Sequence, residues 1–388
     1  MYKIRTYNTI SPVGLARLPH DHYEVASEIQ HPDAILLRSH DLHGTPIPES
    51  LKAVGRAGAG TNNIPVAEYT ERGIPVFNAP GANANAVKEL VVAGLLLAAR
   101  QIPVAWDFAR QLEGDNAGIS QQVEKGKKRF AGYELAGKTL GVLGLGAIGV
   151  LVANAADALG MKVIGFDPQL TVESAWRLSA TARKAASAQE LLANSDFISL
   201  HVPLNDRTKG FLNEERLASI KFGAVLLNFS RGGVVDEAGI IKALQSGGLS
   251  AYVTDFPSRA LLNQPRAIVL PHLGASTAEA EDNCAIMVAE QVRDYLENGN
   301  IQNAVNYPDV VLPRNGAKVR LAVANRNIPN IVGQISSALA EAGLNYTDLT
   351  NKSYGDHAFT LLDLSEPVPS ATFDRIKGID GVLSARLI

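Results

Sequence analysis

The sequence predicts an α/β fold: two doubly wound parallel-sheet domains followed by a small α+β domain. Three observations predict it. Short apolar runs alternate with helical segments over residues 1–80. The alternation restarts at Lys138 and runs to Leu270. From Lys318 the order becomes strand, helix, strand, strand, helix, strand, which builds an antiparallel sheet with two helices on one face.

Composition permits this plan and excludes others. The 388 residues suit two or three domains of about 150 residues each. Apolar residues make up 46% and charged residues 19%, which argues against a disordered chain. Lys and Arg number 36 against 39 Asp and Glu, so no excess of positive charge points to a nucleic-acid partner. One cysteine, Cys284, excludes an internal disulfide and fits a reducing compartment. Met1–Ile10 has no apolar signal-peptide core, and the most apolar run, Leu90–Ala99, falls short of the roughly 20 residues of a membrane span. A soluble cytoplasmic protein with no membrane partner is expected.

In the first region Ala34–Leu37, Ala53–Val54 and Pro75–Phe77 read as buried strand cores, and Val66–Arg72 reads as a helix. A long helix is expected over Asn85–Leu112, kinked or ended by Pro103. Gln111–Gly132 reads as a solvated loop in which four of the five residues Lys125–Arg129 are basic. Strands are expected at Thr139–Leu143, Lys162–Phe166, Phe197–Leu200, Ala224–Phe229, Ala251–Asp255 and Ala267–Leu270, a complete doubly wound set. Ala278–Asn298 carries acidic residues early and Asn298-Gly299 at its end, as a helix should. Tyr307–Gly316 reads as a linker, and Ile331–Ala342 as the first helix of the tail.

Gly144-Leu145-Gly146-Ala147-Ile148-Gly149 is a GxGxxG between an apolar strand and a helix. Gly144 permits a tight turn, Gly146 lets backbone approach a pyrophosphate at the helix N-terminus, and Gly149 lets helix and strand pack closely. Asp167 ends the next strand, where a carboxylate accepts from the ribose hydroxyls of NAD and repels an extra phosphate. The middle domain is therefore Rossmann-like, with NAD as cofactor.

Two further strand ends carry chemistry. His272 follows Ala267–Leu270, and a neutral imidazole suits base work at about pH 7. Arg231 follows Ala224–Phe229, and its planar fork suits a carboxylate. His20, His22, His40 and His43 read as surface residues, and no metal is expected. Cys284 lies mid-helix without a base and reads as buried structure.

Six stretches together resemble the D-isomer-specific 2-hydroxyacid dehydrogenases: Gly55–Ile64, Gly73–Pro80, the glycine motif with Asp167, His201–Leu204, Asn228–Asp236 and Pro271–Thr277. Asn303–Tyr307 and Pro308 are similar to the branch that oxidises 3-phosphoglycerate at the start of serine synthesis. The tail resembles an ACT domain. The resemblance implies a discontinuous substrate-binding domain (1–83 and 275–315), an NAD-binding domain (84–274), an ACT-like regulatory domain (316–388) and a cleft that holds NAD and a phosphorylated 2-hydroxy acid. It implies His272 as acid/base and Arg231 at the substrate carboxylate and carbonyl oxygen. It places the Ala59 and Gly60 backbone and Asn83 at the substrate, with Arg38 and Ser39 toward the phosphate. His201, Val202, Pro203, Asn228, Asp255, His272 and Gly274 are implied to line the cofactor, with Gly144, Gly146, Ala147, Ile148, Gly149 and Asp167. Asn325, Asn327 and Asn345 fall where related ACT domains bind an L-serine effector. The long helix and the ACT edge suggest a homodimer or homotetramer.

One departure stands out. The family's Glu-Pro, whose carboxylate pairs with the catalytic histidine, is replaced by Phe256-Pro257-Ser258-Arg259. His272 then acts without that carboxylate or takes one from elsewhere. Two alternatives stay open: a dehydrogenase for another 2-hydroxy acid such as glyoxylate or hydroxypyruvate, and an NAD-sensing protein without turnover.

Overall fold

The computed structural model describes residues 1–388, which divide into two compact units. One is Ala84–Thr277; the other joins Met1–Asn83 to Ala278–Ile388. Strands are numbered along the chain.

The first unit of chain to close on itself contains five parallel strands, β1 (Tyr2–Thr6), β2 (Tyr23–Ala26), β3 (Ala34–Leu37), β4 (Ala53–Arg56) and β5 (Val76–Phe77), in the order β2-β1-β3-β4-β5. The β1 and β2 strands were not legible, because only Ile4 of β1 and Tyr23 of β2 are buried. The Ala278–Asn298 helix, with the expected bounds, lies on this sheet. Its Cys284, Val288, Val292 and Leu296 share a core with Ile4, Leu36, Ala53 and Phe77. A Cβ on Gly55 would lie 2.6 Å from Val288 Cγ2, so glycine sets how closely the helix approaches β4.

The tail forms β13 (Val319–Arg326), β14 (Tyr346–Tyr354), β15 (His357–Leu364) and β16 (Val382–Leu387), antiparallel in the order β14-β15-β13-β16. Its Ala322, Ala324, Phe359 and Leu361 join the core of the Ala278–Asn298 helix. Leu321, Val323 and Leu362 face the other way, onto the Ile331–Glu341 and Ser370–Lys377 helices. The tail sheet therefore shares part of its core with the N-terminal sheet and falls within the same compact unit. Asn330 begins the tail's first helix at φ 69, the left-handed turn that asparagine tolerates.

The second unit holds seven parallel strands: β6 (Thr139–Leu143), β7 (Lys162–Phe166), β8 (Arg183–Lys184), β9 (Phe197–Leu200), β10 (Ala224–Asn228), β11 (Leu249–Thr254) and β12 (Ala267–Val269). Their order, β12-β11-β10-β9-β6-β7-β8, reverses between β6 and β9. The central strands are buried on both faces, which explains their unbroken apolar runs. Val87, Val91, Leu95 and Ala99 stack at four-residue spacing against Leu140, Val142, Val225 and Leu227.

Two helical expectations change. The long helix is two, Ala84–Ala99 and Ile102–Arg110, bent by 68°. Gln101 turns left-handed at φ 50, and Pro103 falls in the second helix's first turn, where its missing N–H costs nothing. No single helix is long and apolar enough to cross a membrane. Residues 116–126, expected as loop, form a helix capped by Asp115, which accepts from Gly118 N at 2.8 Å. No residue of that helix is buried, so no apolar period marks it.

Candidate active site

In the Ala84–Thr277 unit, every strand that carries an expected functional residue delivers it to the same edge. Gly144 follows β6, Asp167 follows β7, His201 follows β9, Arg231 follows β10, Asp255 follows β11 and His272 follows β12. Parallel pairing makes this unavoidable, and the reversal at β6 and β9 opens the crevice there.

The glycine turn has the geometry a dinucleotide needs. Gly144 sits at φ 92, and a Cβ on Gly149 would lie 1.9 Å from the Gly144 carbonyl oxygen. Nothing comes within 4 Å of a Cβ on Gly146, which begins the Ala147–Ala158 helix without a side-chain cap. The N–H groups of Ala147, Ile148 and Gly149 thus open a helix N-terminus suited to a pyrophosphate. Asp167 folds against this turn, accepting from Leu145 N and Gln169 N at 2.8 Å each. Its oxygens keep further lone pairs for ribose hydroxyls. These residues fit NAD.

His201 bonds Ser199 Oγ through Nε2 at 2.8 Å, and its Nδ1 is sealed without a partner, although part of the residue's surface remains open. Burial pushes this imidazole down to about 3. The unfolded chain therefore takes a proton near pH 6.5 that the folded chain refuses, so stability falls as pH drops from about 6.5 toward 3. Unfolding of a His201→Asn variant should lose this part of the acid sensitivity in denaturant titrations. Val202 packs beside Gly144, and Pro203 O accepts from Thr208 Oγ1.

Asn228 was expected to line the cofactor. It is fully buried, accepts from Ser230 and donates to Arg231 O at 3.0 Å, so it shapes the Arg231 turn from behind. Arg231 is exposed and donates from Nη1 to Ser230 O at 2.7 Å. Asp255 is 1% exposed, accepts from Gly274 N through Oδ2 at 3.0 Å, and has no partner for Oδ1. Burial raises its pKa, opposed by the Gly274 N–H and the charges of His272 and Arg231. A buried, unpartnered acceptor at this edge is what the amide of a nicotinamide would satisfy.

His272 sits at φ 35, held by its N–H to Asp255 O at 2.9 Å. Its imidazole makes no bond to a carboxylate. It packs instead on Phe256, with ring centroids 5.2 Å apart at 54°. The missing glutamate is legible in the sequence; that Phe256 stands against the ring shows only in the fold.

The unit that holds the N-terminal sheet gathers the substrate-side residues at its own C-terminal edge. Arg38 and Ser39 follow β3, Ala59 and Gly60 follow β4, and Asn83 lies beyond β5. The N–H groups of Ala59 and Gly60 donate to nothing in the chain, and Ala59 O is held by Asn78 Nδ2 at 2.6 Å. Asn83 Oδ1 is buried without a partner. Four residues were missed. Asn8 accepts from Ser39 N and His40 N at 3.1 and 2.7 Å. Arg56 and Asn63 donate to Arg38 O at 3.1 and 3.2 Å. Glu281 pairs with Arg38 at 2.5 Å. The conspicuous Gly55-Arg56-Ala57-Gly58 stretch was a usable signal for Arg56; nothing local marked Glu281.

In the tail Asn325 is 2% exposed, its amide donating to Arg326 O at 2.7 Å. Asn327 donates to Gly355 O at 3.1 Å and Asn345 is exposed.

Residues 95–274 match the model of the D-isomer specific 2-hydroxyacid dehydrogenase NAD binding domain. The D-3-phosphoglycerate dehydrogenase of Haemophilus influenzae is 34% identical over 349 residues, 87% of this chain and 81% of that protein. The chain belongs to the D-isomer-specific 2-hydroxyacid dehydrogenase family. The D-3-phosphoglycerate dehydrogenase of Methanocaldococcus jannaschii is 36% identical over 80% of this chain, which spans 59% of that relative's length. Among solved members of the family, the NAD+-bound 3-phosphoglycerate dehydrogenase of Entamoeba histolytica has a TM-score of 0.61 at 26% identity, covering 78% of this chain and 98% of that one.

Proposed function

We propose that the chain oxidises 3-phosphoglycerate to 3-phosphohydroxypyruvate with NAD, the entry step of serine synthesis. The observation that supports it best is the delivery of His272, Arg231, Asp255 and the glycine turn to one sheet edge. The names of the relatives at 34 and 36% identity point to the same substrate.

Bound NAD supplies the hydride acceptor. His272 takes the proton from the substrate's 2-hydroxyl oxygen as that bond becomes a carbonyl. Arg231 pairs with the carboxylate and stabilises charge on the reacting oxygen. The free N–H groups of Ala59 and Gly60 hold the carboxylate, Asn83 adds a polar contact, and Arg38 with Ser39 receives the phosphate. Asp255 Oδ1 accepts from the nicotinamide amide.

Absorbance at 340 nm tests this with 3-phosphoglycerate and NAD, and with phosphohydroxypyruvate, hydroxypyruvate and glyoxylate against NADH. Turnover favouring the phosphorylated pair is expected. Turnover of the unphosphorylated acids alone would move Arg38 out of its role. The unpartnered His272 imidazole gives the second reading, an NAD-sensing protein; NADH binding without turnover would favour it.

Two further parts belong to the proposal. A second copy covers the Ile102–Arg110 helix, which exposes Ile102, Val104 and Trp106 and buries none of its residues. Sedimentation should give a dimer or tetramer; a species of 41.2 kDa would remove this part. L-serine acts at the turn bearing Asn325 and Asn327, with Asn345; rates unchanged at millimolar serine would remove that part.

A further inference from the structure

The Arg38 guanidinium is already occupied. Its Nη1 lies 2.5 Å from Glu281 Oε1, on the first turns of the Ala278–Asn298 helix. Both groups border a cavity of about 580 Å³ together with Asn8, Ser11, Ser39 and Asp282. The two carboxylates there differ. Asp282 accepts from Ser11 Oγ at 2.5 Å, whereas Arg38 is the only partner of Glu281. The backbone around Arg38 is pinned by Asn8 on its following N–H groups and by Arg56 and Asn63 on its carbonyl. The backbone is thus fixed while the head is only ion-paired, with side-chain exposures of 33% for Arg38 and 46% for Glu281. A partly exposed pair of this kind is worth little and exchanges readily.

From this we infer that Glu281 is a specificity-determining residue: an internal carboxylate that occupies Arg38 until a substrate phosphate displaces it. The inference rests on the reading of Arg38 as the phosphate anchor. Glu281 neutralises Arg38 and Asp282 lines the same cavity, so a phosphate meets net negative charge unless the Glu281 side chain swings away. An unphosphorylated acid has no phosphate with which to displace it. Glu281 therefore narrows the preference for phosphorylated over unphosphorylated substrate by competing for the same cation.

The matched pair phosphohydroxypyruvate and hydroxypyruvate, each with NADH, isolates this effect, because the reacting carbonyl is the same and only the phosphate differs. Glu281→Gln keeps the shape and removes the charge. It should raise the ratio of kcat/KM values, phosphorylated over unphosphorylated, about threefold to tenfold, mainly through KM of the phosphorylated substrate. Adding Arg38→Gln to Glu281→Gln should abolish the gain and take the ratio below wild type. Calorimetric titration with 3-phosphoglycerate and D-glycerate reads the same preference as a ratio of Kd values, independently of turnover. If the double variant keeps the single variant's ratio, Arg38 does not hold the phosphate, and the underlying reading fails. If the double variant loses the preference but Glu281→Gln alone leaves it unchanged or lowers it, Arg38 keeps its role and the inference about Glu281 is overturned.

Discussion

Replacing His272 with asparagine should lower kcat by about 10²- to 10⁴-fold, while NADH affinity, followed by fluorescence, changes by less than about tenfold. Asparagine keeps a polar group at the position but cannot take up the hydroxyl proton. The size of the loss depends on how well the imidazole is held before substrate arrives. Here the hold is steric and backbone-borne: φ 35, an N–H bonded to Asp255 O, and the Phe256 ring 5.2 Å away. A carboxylate partner would add charge stabilisation to the protonated ring, and none bonds it. Asp255 feels the charge of His272, but its Oδ2 is committed to Gly274 N. A kcat within about threefold of wild type in His272→Asn would remove the residue from proton transfer.

The second large effect concerns stability. Arg320 is fully buried on β13 and makes a two-pronged bond with Asp363 on β15, at 2.6 and 2.7 Å. Its remaining donors reach Asn298 O at 2.9 Å and Pro313 O at 3.3 Å, so one guanidinium ties the tail sheet to the end of the Ala278–Asn298 helix and to the linker. Asp363→Ala leaves that cation buried and uncompensated, which should cost about 3–5 kcal/mol. In denaturant titration the transition of the unit bearing the tail should move to lower concentration. Replacing both residues together, Arg320→Met with Asp363→Leu, should recover most of the loss, because no charge is then stranded. Equal losses in the single and double variants would show that packing volume, not the stranded charge, sets the cost.

Legibility in the sequence followed the range of the interactions. The glycine turn, the strands β6, β7 and β9 and the Ala278–Asn298 helix were readable because local apolar runs and caps specify them. His272 and Arg231 were readable because they directly follow strands, and a parallel sheet sends all such positions to one edge. The Asn116–Gly126 helix was not, since its stability lies in the Asp115 cap rather than in a buried face. That β13 and β15 bury a second face was not readable, because it shows only once Phe359 and Leu361 meet the Ala278–Asn298 helix. That the Asn228 amide donates to Arg231 O was not readable, because tertiary packing sets its direction. The Arg38–Glu281 pair joins residues far apart in the chain, and no local pattern announces it.

Hydride transfer itself is tested most directly with 3-phosphoglycerate carrying deuterium at carbon 2. After incubation with NAD, mass spectrometry of the recovered cofactor should find the label on the reduced nicotinamide ring, with none lost to water. Product formed without deuterium in the cofactor, or label released to solvent, would contradict the assignment of this chain as a 2-hydroxyacid dehydrogenase acting on the phosphorylated substrate.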